Sequence, residues 1–259
     1  MKVKDVAAAI EAFAPLGLQE SYDNAGLIVG RPDDEVHRAL LAVDVTEDVL
    51  AEAVREDCDM VITHHPIVFH PLKRLNSASA VERCVEQAVR RGIALYAAHT
   101  NLDSAPEGMS WRVAHILGLE NIAVLQPSAD GAGFGVVGEL PEAASSESFM
   151  RTVMERFDVK ALRHGDMVRD TVRRVAICTG AGGSLIGEAH AAAADIYLTA
   201  DLKYNDFMRH EGRMILADMG HFESEYCAIE ILFDILSKNL PIFAVRKSVC
   251  SRNPVNYML

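Results

Sequence analysis

The chain has 259 residues, half of them apolar, which is enough for one large α/β domain or two smaller ones with a sizeable core. Its formal charge of -12, with no block of Lys and Arg, argues against a non-specific polynucleotide or anionic-membrane binder, because such proteins neutralise phosphates with clustered cations. A small phosphorylated metabolite stays compatible with that charge where metal ions or helix N-termini offset it locally.

The five cysteines (Cys58, Cys84, Cys178, Cys227, Cys250) show no CxxC spacing and mostly sit among apolar neighbours, the usage of a reducing compartment. Residues 1–15 carry acidic side chains and read as an amphipathic helix without the basic head of a signal peptide, and no run has the length of a membrane span. A cytoplasmic protein is expected.

In chain order, Val3, Val6, Ala7, Ile10 and Phe13 recur at helical spacing, and Pro15 with Gly17 ends that helix. A turn rich in Asp, Asn and Gly (20–26) opens into a short strand and reads first as a structural turn. A strand over 39–43, a helix from the cap Thr46 to about Arg55 and a strand over 59–63 make a βαβ unit with parallel strands. The pattern repeats with a helix over 79–90 and a strand over 93–98, followed by a helix over 108–117. The stretch 127–133 is the candidate boundary between two lobes, 1–128 and 129–259. Beyond it the pattern predicts strands over 135–140, 159–162, 172–178, 195–199, 214–217 and 242–245, with helices over 146–157, to about Ala194 and to about Ser237. The Gly180–Gly183 run matches neither the P-loop nor the dinucleotide pattern, so a tight turn is favoured over a phosphate cradle.

Four of the strands share one design, an apolar run with His, Asp or Glu at its carboxyl end, where the ligand crevice of an open α/β sheet lies. These ends carry His64-His65-Pro66, His99 with Asp103, Asp201, and His221 with Glu225, the last pair four apart on one helix face. Adjacent strand residues point to opposite faces, so His64 and His65 share a site only where the backbone bends, as Pro66 makes it do. Imidazoles mixed with carboxylates suit zinc, manganese, iron, cobalt or nickel rather than calcium or magnesium. Five donors exceed the needs of one structural ion, and two ions bridged by a carboxylate fit better. Asp44, Asp201 and Asp218 read equally as caps of the turns they begin. No GxSxG elbow or Cys-His pair points to a protein nucleophile.

The segments YDNAGLIVG (22–30), DMVITHHPIVFHPLK (59–73), AAHTNLDSAPEG (97–108), DIYLTADLKYNDF (195–207) and ADMGHFESE (217–225) together resemble the GTP cyclohydrolase I type 2 family, also called the NIF-three-like family. The resemblance implies two interwoven α/β lobes with largely parallel sheets, assembled as a toroidal homohexamer, in the short form that lacks an inserted domain. It implies two divalent metal ions per subunit (zinc, iron or manganese), with His65 and Asp103 on one, His64 and His221 on the other, and Glu225 bridging. Hydrolysis of a small nucleotide-like substrate by metal-activated water is the leading reading, with His99 as a proton shuttle or supporting group and Glu225 as the second catalytic residue. A metal-dependent scaffold or regulator and a metal-dependent phosphoesterase are the rival readings. Tyr22, Ala200 and Asn205 stand where the family usually has Trp, Gly and His, and the last change removes a possible acid–base group.

Overall fold

The computed structural model describes residues 1–128 and 131–258. The chain forms two compact units, each discontinuous: residues 1–105 with 228–252, and residues 106–227 with those from 253 onward. The fold is mixed α/β with two sheets.

The first unit opens with α1 (Val3–Glu11), β1 (Gly26–Val29), β2 (Arg38–Ala42), α2 (Glu47–Arg55), β3 (Met60–Thr63), α3 (Ala80–Arg91), β4 (Ala94–Ala97) and the short α4 (Thr100–Ser104). Thr46 starts α2 by accepting the Val49 amide at 3.1 Å, with Glu47 and Asp48 at the positive end of the helix dipole. Ser79 does the same for α3, and Gly92 closes it in the left-handed conformation at φ 67°. β2, β3 and β4 run parallel, with Ala42 opposite Thr63 and Thr63 opposite Ala97. That register brings the carboxyl ends of three strands to one edge, where Asp44, His64-His65 and His99 follow. All of β3 and β4 is buried, as expected of parallel strands covered on both faces. Leu40, Val49, Leu50, Val61, Cys84 and Leu95 are among the side chains that pack the core beside this sheet.

The second unit contains α5 (Met109–Leu117), β5 (Glu120–Pro127), β6 (Gly133–Ser145), α6 (Ser146–Arg156), β7 (Arg163–His164), β8 (Thr171–Ala181), α7 (Ile186–Ala191), β9 (Ile196–Ala200), β10 (Ile215–Asp218) and α8 (His221–Glu225). Its sheet runs β5-β6-β8-β9-β10-β7. β8, β9 and β10 are parallel, while β5, β6 and β7 add antiparallel pairings. Leu125, Ala176, Ile186, Ala189, Tyr197 and Leu216 pack this core. The chain then returns to the first unit as α9 (Cys227–Asn239) and β11 (Ala244–Lys247), which adds in parallel to β2 and completes the order β1-β4-β3-β2-β11.

The largely parallel pattern therefore describes the first sheet, and the second is mixed. β5 had no counterpart in the sequence reading: mostly exposed, and with Asn121 at φ 52°, it lacks both an apolar run and clean alternation. The strand expected over 159–162 forms at Arg163–His164 instead, because the Val159 amide caps α6 by bonding Met154 O at 2.9 Å. β11 starts at Ala244, and Ile242 is 93% exposed ahead of it. The stretch 127–133 joins β5 to β6 inside the second unit, and its Ala129 and Asp130 lie outside the described residues. Among the described residues no helix is long and apolar enough to cross a membrane.

Candidate metal centre

In the first unit, His64 and His65 leave β3 together, His99 leaves β4, and Asp103 follows on α4. Thr63 donates its hydroxyl to the carbonyl of His65 at 2.8 Å, and the His65 amide donates to Val43 O at 3.0 Å, so the bend after β3 is held from both sides. The three imidazoles cluster, with centroids 5.0 Å apart for His64 and His65, 5.3 Å for His64 and His99, and 5.4 Å for His65 and His99. One ring nitrogen of each lies within 4.8 Å of the others, a spacing that a single cation could span. His64 Nε2 is 3.7 Å from Asp103 Oδ1.

The support behind these rings follows one rule. His64 Nδ1 lies 2.7 Å from Ala98 O, His65 Nδ1 lies 2.8 Å from Asp44 Oδ1, and His99 Nδ1 lies 2.7 Å from Asp23 Oδ1. Carbonyl and carboxylate oxygens only accept, so each Nδ1 carries a proton, and in the neutral ring the lone pair belongs to Nε2. Burial alone would raise the Asp23 carboxyl, but hydrogen bonds from His99 and Thr100 outweigh it and hold that group below the usual carboxylate range.

The second unit repeats the arrangement with fewer parts. His221 and Glu225 are the ends of α8, and His221 Nε2 lies 3.0 Å from Glu225 Oε2. His221 Nδ1 is 2.8 Å from Asp201 Oδ2, on the left-handed residue (φ 55°) that follows β9. Burial opposes charge on His221, yet the two carboxylates prevail and push its pKa up to about 9. The same negative potential favours any bound cation.

Gly180 explains why β8 ends as it does. At φ +63° a side chain is strained, and a Cβ there would stand 2.2 Å from Glu225 Oε1 and 3.5 Å from His221 Nε2, so the donor pair occupies the space glycine leaves. The Gly180 amide donates to Ser224 Oγ at 2.9 Å and the Gly182 amide to Thr199 Oγ1 at 2.9 Å. Those amides are committed to side chains of this unit, which supports the tight-turn reading over a phosphate cradle.

Of the three strand-end aspartates left open, only Asp218 acts as a cap. It accepts from the Leu202 and Gly220 amides and from Arg163, each at 3.0 Å. Asp44 and Asp201 orient histidines instead. Asp23 was missed altogether, since its turn reads as structural and its partner His99 is 76 residues away.

A donor set of imidazoles and carboxylates, each imidazole backed at Nδ1, fits a borderline divalent cation. The candidate donors are His64, His65, His99 and Asp103 in the first unit and His221 and Glu225 in the second.

Comparison with known proteins finds similarity along nearly the whole chain. The family model described as Duf34/NIF3 (NGG1p interacting factor 3) matches residues 1–254. A protein of Clostridium acetobutylicum named GTP cyclohydrolase 1 type 2 homolog is 32% identical over 236 residues, 90% of this chain and 88% of its own length. Its namesake in Campylobacter jejuni is 31% identical over 258 residues, 99% of this chain and all of its own length. The crystal structure of a Staphylococcus aureus hypothetical protein superposes with a TM-score of 0.93 at 26% identity, covering 100% of this chain and 99% of that one.

Proposed function

The chain belongs to the Duf34/NIF3 family, and on that premise we propose that it is a dinuclear metal-dependent hydrolase of a small nucleotide-like substrate. The observation that carries the reading is the shared support of four imidazoles, each with Nδ1 tied to a carboxylate or carbonyl oxygen, which turns Nε2 of every ring toward the other candidate donors. In this reading His65 and Asp103 would serve one ion, His64 and His221 the other, and Glu225 both. Bound divalent ions supply Lewis acidity, lowering the pKa of a water and polarising a carbonyl, imine or phosphoryl oxygen.

The protein's own part is to keep these donors in place and to move protons. Asp44 and Asp201 orient His65 and His221 and raise their basicity through Nδ1. His99, 17% exposed at its side chain and held at Nδ1 by Asp23, stands beside these donors as a proton shuttle or a supporting group.

Names of relatives support a cyclohydrolase, whose water would open the imidazole ring of GTP with release of formate. The test is turnover by purified protein reconstituted with zinc, iron or manganese. Formate release from GTP that disappears in His65→Ala is the expected result. Cleavage of a phosphoester without formate release would replace this reading with a metal-dependent phosphoesterase. No turnover, with assembly that depends on metal, would leave the scaffold. Assembly is itself part of the proposal: a homohexamer, which the family resemblance implies, to which the exposed apolar side chains Tyr204, Met208, Ile242 and Val249 offer contact surface, and which light scattering checks. Five cysteines without CxxC spacing, four of them buried, favour the reducing cytoplasm as its location.

A further inference from the structure

Asp23 lies in the turn ahead of β1, and its side chain has no solvent exposure. Its Oδ1 accepts from the Asn24 amide at 2.7 Å and from His99 Nδ1 at 2.7 Å. Its Oδ2 accepts from the Thr100 amide at 3.0 Å and from the Thr100 hydroxyl. Thr100 Oγ1 in turn accepts the Glu20 amide at 3.0 Å, which leaves its proton to point at Asp23. Every bond therefore runs toward the carboxylate. Capping a turn requires the two amides alone, and the bond to the imidazole is additional.

Direction fixes chemistry here. A carboxylate that accepts four bonds requires His99 to be the donor through Nδ1–H, so the lone pair of the neutral ring belongs to Nε2. The ring has little freedom to turn: Phe69 meets it edge to face at 6.0 Å, and His64 and His65 stand 5.3 and 5.4 Å away. The Asn24 side chain bonds Val68 O at 2.7 Å and ties the Asp23 turn to the segment that carries Phe69.

We infer that Asp23 is a positioning residue for His99, which fixes the Nδ1–H tautomer so that His99 presents Nε2 as a third imidazole donor beside His64 and His65. The tautomer stands independently of bound metal, whereas the donor role rests on the metal-binding function proposed above. Asp23 and His99 then act as one unit rather than as a turn cap and a separate proton shuttle.

Two measurements on the full chain test this. In metal-free wild-type protein, long-range proton–nitrogen correlation spectra should show His99 protonated at Nδ1 and bare at Nε2, and Asp23→Asn should abolish that preference. In protein loaded with cobalt(II) as the probe, Asp23→Asn and His99→Gln should change the visible absorption envelope alike and weaken binding about 10–100-fold, with no further loss in the double variant. A merely structural turn residue would not produce a matched, non-additive spectral change. If Asp23→Asn does not fold, the wild-type tautomer and the His99→Gln spectrum still decide. His99 found protonated at Nε2 overturns the Asp23 assignment by itself. An unchanged cobalt spectrum in His99→Gln overturns the donor role, and failure of wild-type protein to take up cobalt overturns that role together with the metal reading.

Discussion

The donor sets of the two units solve one problem with different amounts of scaffolding. In the first unit, three imidazoles arrive on the ends of parallel strands, and each has its own support in Ala98 O, Asp44 or Asp23. In the second, one helical turn supplies both His221 and Glu225, one carboxylate supports the imidazole, and one glycine leaves room for the pair. Strand ends set by sheet register tolerate local change, because the ladder is held over many residues. A five-residue helix beside a single left-handed glycine has no such redundancy. The second set should therefore be the more easily broken.

The largest effect is expected for Gly180→Ala. A Cβ 2.2 Å from Glu225 Oε1 forces the carboxylate away, and the left-handed backbone adds strain of about 1–3 kcal/mol. Metal content should fall by about one ion per chain and the urea midpoint should drop, both measurable on one preparation. A variant with wild-type metal content would erase the contrast between the units.

Next come the supporting carboxylates. Asp201→Asn and Asp44→Asn should each weaken metal affinity by roughly 10–100-fold, read by competition with a chromogenic chelator. The first loss should be the greater, since Asp44 supports one of three clustered imidazoles while Asp201 supports the single histidine of its set. Equal losses would mean that redundancy does not protect the first unit.

Glu52 tests the first unit away from the donors. Its buried carboxylate accepts from the Ser248 hydroxyl and from the amides of Val249 (2.9 Å) and Cys250 (3.1 Å), fastening the segment after β11. Burial raises its pKa, but these bonds outweigh burial and leave it below the ordinary value. Glu52→Gln should cost about 1–3 kcal/mol in chemical unfolding. Because the folded group binds its proton less readily than the unfolded one, the stabilisation is complete above the unfolded value of about 4.3 and fades as pH falls through the lower folded value. The gap between wild type and variant should close in acid and stay constant at neutral pH. The smallest effect is Thr46→Ala, the loss of one N-cap on α2, at about 1 kcal/mol and with metal content unchanged.

What the sequence reveals of this molecule follows from how far apart the interacting residues lie. His64-His65-Pro66 and His221 with Glu225 are legible because apolar runs and four-residue spacing are local signals, and the structure sets these residues at strand ends and on one helical turn. Asp23 and Asp44 look like turn residues until the fold carries them to His99 and His65, 76 and 21 residues distant. β5 escapes notice because an exposed edge strand needs no apolar period, and α4 because five residues hold too few turns to show one. Gly180 is visible as a glycine, but its need to be one depends on the Glu225 carboxylate beside it.

Metal content tests the central claim most directly. Protein purified without chelator and analysed for elements should hold about two divalent ions per chain, with His65→Ala losing at least one of them while remaining folded. Well under one ion per chain in the wild type, or a His65→Ala variant that keeps the full complement, would contradict the account.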